Sequence, residues 1–273
     1  MAITLEGGCR VSQMRAGAPV VNGTLRIWNQ IGRATGAQAI SLRILEFAPG
    51  LSPGIQNGEC DEILYVLHSE REHPVRLSER SERTPFVDPN ARILINDHAY
   101  DIGRDTGIYI HPGETFAIDN SGPGSIILVS SRCPDPDHAP QFVTPLIAPP
   151  TDSSPLKRPP LVRLDDCQAQ PTADRWYRVL VDDEVGSTQA TQFVGSIPPG
   201  RAPDHFHQYE EVLLILKGEG RMWAGETNTP ITPGSCIYLP KGQVHCVENT
   251  GTDELRLLGV FYPAGSPSVR YDV

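Results

Sequence analysis

Two histidines one residue apart, His205 and His207, are followed by Glu211, and a third imidazole, His245, comes 34 residues after that carboxylate. Imidazole nitrogens and a carboxylate oxygen make the N/O donor set that suits first-row divalent ions. On an extended segment side chains alternate faces, so His205, His207 and Glu211 point to one side while Glu210 points to the other. Leu213 and Ile215 continue the inward stripe. Such a set, closed by His245 inside a barrel, leaves one or two coordination positions open for a substrate or for oxygen. The chemistry expected is therefore metal-dependent, with Glu211 the candidate proton acceptor.

The elements around these residues read as strands. TQFVGSI, EVLLIL, CIYL and LRLLGVFY are short, β-branched and bounded by Gly or Pro. A helix over EEVLLILKG would have no room for three turns between Pro203 and the Gly218/Gly220 pair. The same pattern occurs earlier in the chain as ISLRILEF, EILYVL, GIYI and SIILVSS, and the two halves align as a repeat. Residues 236–251, CIYLPKGQVHCVENTG, match residues 107–122, GIYIHPGETFAIDNSG, at an offset of 129. Upstream, Gly200 answers Gly50 and Glu211 answers Glu62, at offsets of 150 and 149, so the first copy carries about twenty extra residues between its motifs.

That insertion, residues 69–90, is dense in Glu and Arg and reads as a solvated excursion, with an oligomer contact or an active-site lid as alternatives. Residues 146–162 are rich in Pro and Ser and read as a linker. The predicted architecture is all-β: a barrel over 1–145, the linker over 146–162 and a second barrel over 163–273.

The motifs around the histidines resemble those of the cupin superfamily. The family's first motif is matched by Gly200, His205, His207, Glu211 and Gly218, with four residues rather than five after the first Gly. Its second is matched by Gly234, Pro240, Gly242, His245 and Asn249. The resemblance implies two tandem jelly-roll barrels, a bicupin, with a metal held by His205, His207, Glu211 and His245. One divalent transition metal per chain is expected, Fe, Mn or Ni, with Zn or Cu also compatible. In the first copy Gln56, Gly58 and Phe116 stand in the places of the three histidines and only Glu62 survives. His68, His98 and His111 lack the needed spacing, so the first barrel is expected to be structural.

With 23 basic and 33 acidic residues the net charge is −10, the wrong sign for tracking a phosphate backbone or an anionic membrane. No apolar run approaches membrane length and no signal peptide is evident, so a cytoplasmic protein is expected. The six cysteines have no CxxC spacing and read as small buried hydrophobes. Phe206, Trp223 and Tyr262 are candidates to line a pocket for a planar substrate. Since cupins host many reactions, the expected partner is a small molecule, alone or with a second copy of the chain. The leading functional expectation is a dioxygenase, similar to the quercetinase and diketone-cleaving cupins, acting on an enol, diketone or catechol-like chelator. A non-oxidative isomerase, lyase or hydrolase is the second, and a binding or storage module the third.

Overall fold

A computed structural model describes residues 2–69, 91–136, 138–144, 160–269 and 271–272. Nearly all the regular structure among the described residues is strand, arranged as four antiparallel sheets that form two barrels. No helix among the described residues is long and apolar enough to cross a membrane. Most of the expected insertion, residues 70–90, and most of the expected linker, residues 145–159, lie outside the described residues.

Each barrel pairs a large sheet with a smaller one, and the two large sheets face each other. This accounts for strands buried on both faces, such as Leu42–Phe47 and the first six residues of Glu210–Lys217. Parity divides their side chains: Leu42 and Ile44 join the cluster between barrels, Leu45 and Phe47 the interior of the first. In the second half Val212 and Leu214 face the first barrel, whereas Leu213 and Ile215 fill their own. The shared cluster draws buried residues from both halves, from Trp28 and Tyr65 to Leu180 and Val260. A continuous apolar contact of this kind holds the halves as one unit.

The halves also exchange their first strands. Arg10–Gln13, at the start of the first repeat, pairs with Ser235–Leu239 in the large sheet of the second barrel. Reciprocally, Leu161–Arg163 pairs with Thr106–Ile110 in the first. The boundaries expected from sequence, 1–145 and 163–273, are thus crossed by both arms, and residues 161–162 of the expected linker are strand. The arms are short and locally unremarkable, and only their tertiary pairing distinguishes them.

Two matched polar clamps reinforce the exchange. Glu210, outward-facing from its own barrel as alternation requires, accepts hydrogen bonds from the backbone N–H groups of Gln38 (2.8 Å) and Ala39 (2.6 Å). Tyr238 donates its hydroxyl to the same carboxylate. In the other direction Tyr109 donates to Asp61 at 2.8 Å, and Gln189 of the second half favours the charged form of the same carboxylate. The equivalent positions Tyr109 and Tyr238 are therefore interface residues rather than catalytic ones. Glu210→Ala should leave two amide donors unmet and cost about 2 to 4 kcal/mol in denaturant unfolding, with metal content unchanged. A loss below about 0.5 kcal/mol would show that the clamp is dispensable.

Candidate metal centre

The short strand His205–Phe206 pairs with His245–Asn249 so that His205 and His245 are direct cross-strand neighbours. His207 follows on the same face as His205. Gly242 sits at φ +77°, a conformation glycine adopts readily, and its N–H donates to the carbonyl of His207 at 2.8 Å. The turn of the second motif is thereby tied to the first, and it delivers His245 to the pair. Asn249 anchors the far end, donating to the carbonyls of Ile197 (2.9 Å) and Asp253 (2.7 Å). Asn120 makes the same bonds to Phe47 and Gly124 in the first barrel, so this motif residue persists there for a structural reason.

One ring nitrogen from each of His205, His207 and His245 lies within 4.8 Å of the others, a grouping that could hold a divalent ion. Each imidazole has its Nδ1 against a backbone carbonyl: Pro203 at 3.0 Å, Val269 at 3.0 Å and Gln243 at 2.8 Å. A carbonyl only accepts, so Nδ1 must carry the proton and Nε2 presents its lone pair. Three rings fixed in that tautomer by outer hydrogen bonds are what a metal site requires, and the donor set fits a first-row divalent ion.

Glu211 is buried beside them, Oε2 lying 3.9 Å from His207 Nε2, but it is not part of the 4.8 Å group. Burial pushes its carboxyl up to about 8. Burial, reinforced by the neighbouring His205, holds His207 down at about 4 and His245 at about 3. At neutral pH, before metal binds, His207 and Glu211 are thus predominantly uncharged and their proximity is not an ion pair. His207 stacks on Tyr209 at 4.6 Å between ring centroids, and Tyr209 in turn stacks on Phe261 at 4.3 Å. This aromatic column fixes the plane of the imidazole.

A cavity of about 120 Å³ adjoins the site, with Phe193, Leu213, Val247 and Leu257 forming apolar wall and Arg175 and Trp176 also lining it. The aromatics expected from sequence are elsewhere. Phe206 stacks on Tyr271, Trp223 donates to Glu248 under the guanidinium of Arg201, and Tyr262 lines a separate cavity between the barrels. Alternation already turns Phe206 away from the histidines; Phe193 and Trp176 reach the cavity through cross-strand register, which local sequence does not reveal. Cys246 is buried and faces away from His245's side, its Sγ accepting from Arg201 Nε at 3.3 Å. All six cysteines are free thiols.

In the first barrel Phe116 stands opposite Ile55 as His245 stands opposite His205. The degenerate positions are therefore Ile55 and Asn57, one residue before the expected Gln56 and Gly58. Neither Ile nor Phe can ligate, and the Asn57 amide donates to the carbonyl of Cys60 at 2.7 Å. His98 pairs with Asp97 and His111 packs on Tyr109, while the side chain of His68 lies outside the described residues.

The family description "Cupin domain" matches residues 193–261. The oxalate-binding protein of Thermotoga maritima is 36% identical over 84 residues, which are 30% of this chain and 69% of that protein. Auxin-binding protein 1 of Arabidopsis thaliana is 36% identical over 70 residues, 22% of this chain and 35% of that protein, so the match spans about a third of the plant protein. The chain belongs to the cupin superfamily. Its two-barrel layout is like that of oxalate decarboxylase from Bacillus subtilis: a structure at pH 4.6 superposes with a TM-score of 0.70 at 14% identity, over 93% of this chain and 76% of that one. A second structure, from work on the Mn(II) centres of the same enzyme, gives 0.71 at 14% identity, over 96% and 79%. At that identity the likeness is one of fold.

Proposed function

We propose that this chain is a metal-dependent bicupin enzyme whose second barrel takes a small organic anion that chelates through two oxygens. The observation that carries this reading is the trio of tautomer-fixed imidazoles opening on a cavity of about 120 Å³. That space lies well below the roughly 300 Å³ at which pockets for drug-sized ligands begin, so a flavonol-sized planar substrate is disfavoured. His205, His207 and His245 would hold the ion with Glu211, and the ion would supply Lewis acidity toward the substrate oxygens. Arg175, in the same cavity, offers a guanidinium to an anionic group. Phe193, Leu213 and Leu257 exclude water from the reacting carbon. Glu211, a carboxyl in a dry pocket, holds or moves the proton.

A protonated carboxyl beside the site supports proton-transfer chemistry without oxygen, of the lyase or isomerase kind. The relative described as oxalate-binding agrees with a small dicarboxylate as ligand. The dioxygenase reading rests on the positions a three-imidazole site leaves open. Turnover of small dicarboxylates, enediols and β-diketones by metal-reconstituted protein, with and without oxygen, separates the two. Equal rates support the lyase or isomerase reading; oxygen consumed in step with substrate supports the dioxygenase. No turnover by either route would reduce the site to a binding module.

Metal uptake has a proton signature. At pH 7 a carboxyl raised to about 8 is roughly nine-tenths protonated, while His207 and His245 are already neutral. Binding should therefore release about one proton, read by calorimetry in buffers of different ionisation enthalpy, and almost none in Glu211→Gln. Undiminished release from that variant would remove Glu211 from the ligand set.

A further inference from the structure

The first barrel contains charge where the second contains aromatic rings. Arg43 pairs across the sheet with Ser130 as Phe193 pairs with Gly259, and Arg132 stands opposite Glu62 as Phe261 stands opposite Glu211. Two phenyl rings beside the metal site are thus replaced, position for position, by two guanidinium groups. Arg43 is 2% exposed and Arg132 7%.

Both are incompletely satisfied. Arg43 donates through Nη2 to Glu62 Oε1 (2.6 Å) and to Ser130 Oγ (2.8 Å), but its Nε and Nη1 have no partner among the described residues. Arg132 donates through Nη2 to Asp135 Oδ1 (3.2 Å) and to the carbonyl of His138 (2.8 Å), leaving Nε without one. A buried donor left unmet bears its desolvation cost without compensation, so these groups are poised for an acceptor. Burial, and then the charge of Arg43, hold Arg132 below its ordinary value, as expected for two cations sharing one interior.

Arg43 and Arg132 line a cavity of about 300 Å³, together with Arg33. Asp135 is the one carboxylate among the described lining residues and Glu62 holds Arg43 from outside that lining, so three guanidiniums meet two acids, an excess of positive charge in a chain whose net charge is −10. The remaining wall includes Ile27, Ile31 and Phe142. We propose that this cavity, in the barrel without the three histidines, is a second ligand site that takes a small organic monocarboxylate, its head group on the arginines and its apolar body against Ile27 and Phe142. Guanidinium and carboxylate match as planar forks, and the apolar wall favours an organic acid over an inorganic anion. The volume lies at the lower end of small-molecule pockets. The assignment stands apart from the reading of the second barrel.

The test is calorimetric titration of benzoate and of hexanoate into the full chain, into His245→Ala, and separately of sulfate into the full chain. One carboxylate should bind at a single site whose affinity His245→Ala changes by less than twofold. Arg33 is exposed and not part of the core, so Arg33→Gln should fold normally and weaken binding about tenfold, the loss of one charge-assisted contact. Asp135→Asn, which removes the competing carboxylate, should tighten binding several-fold, a direction that general damage to the barrel would not produce. Absence of binding by both acids, loss of binding in His245→Ala, sulfate binding as tightly as the acids, or weakening in Asp135→Asn would each overturn the proposal.

Discussion

His245→Ala is expected to keep its fold and lose its metal. His245 lies at the start of its strand, outside the apolar cluster that fills the second barrel, and its side chain meets the other two imidazoles rather than the core. Removing one of three nitrogen donors should lower affinity by about 100-fold or more, beyond the 10- to 100-fold typical of losing an outer-shell partner. Elemental analysis should fall from about one divalent ion per chain to below a tenth, with the strand-rich circular dichroism spectrum unchanged. Retention of metal would remove His245 from the ligand set. Collapse of the fold would make the ion structural, as in small domains that fold only on metal. Two ions per wild-type chain would place a site in the first barrel, where Phe116 and Ile55 leave no nitrogen donors at the corresponding positions.

Much of this was legible in the chain itself, for identifiable reasons. The alternation around His205, His207 and Glu211 is a local property of a strand, so the shared face could be read directly. The repeat exposed the second barrel because both copies retain the glycine turns and the asparagine that build it. What escaped was everything set by pairing between distant strands. The exchanged arms look like ordinary edge segments until Val11 is found opposite Ile237 and Val162 opposite Gly107. The one-residue slip that puts Ile55 and Asn57 at the histidine positions depends on register with Phe116, which the unequal offsets of the repeat blur. Glu210, adjacent to a candidate ligand, turned out to be a fastening to the other barrel, with an outward direction that was readable and a partner that was not.

The same limitation applies to Glu62, where the second large effect is expected. In sequence it is the surviving member of a lost metal motif; in the structure its partner is a side chain, Arg43, at 2.6 Å, with both side chains buried. Ser130 donates a second hydrogen bond to the same Oε1 at 2.7 Å. A cation of the protein thus stands beside the carboxylate that in the second barrel lies behind the three histidines. Glu62→Ala should strand the guanidinium without its counter-charge and cost about 3 to 5 kcal/mol, the loss typical of breaking one side of a buried pair. Thermal unfolding should fall by about 5 to 15 °C for a chain of this size. Because both charges disappear together, Arg43→Met with Glu62→Leu should recover most of that loss, since an apolar pair of similar volume avoids the desolvation penalty. Metal content should stay at about one ion per chain in every variant, because no ligand of the second barrel is touched. Glu62→Leu alone separates charge burial from a packing defect: leucine refills the space left by the carboxylate, so a loss that persists in Glu62→Leu and is relieved only by adding Arg43→Met comes from the stranded charge. If Glu62→Ala instead lowered metal content without lowering stability, the carboxylate would be a ligand after all and the salt bridge only its resting partner.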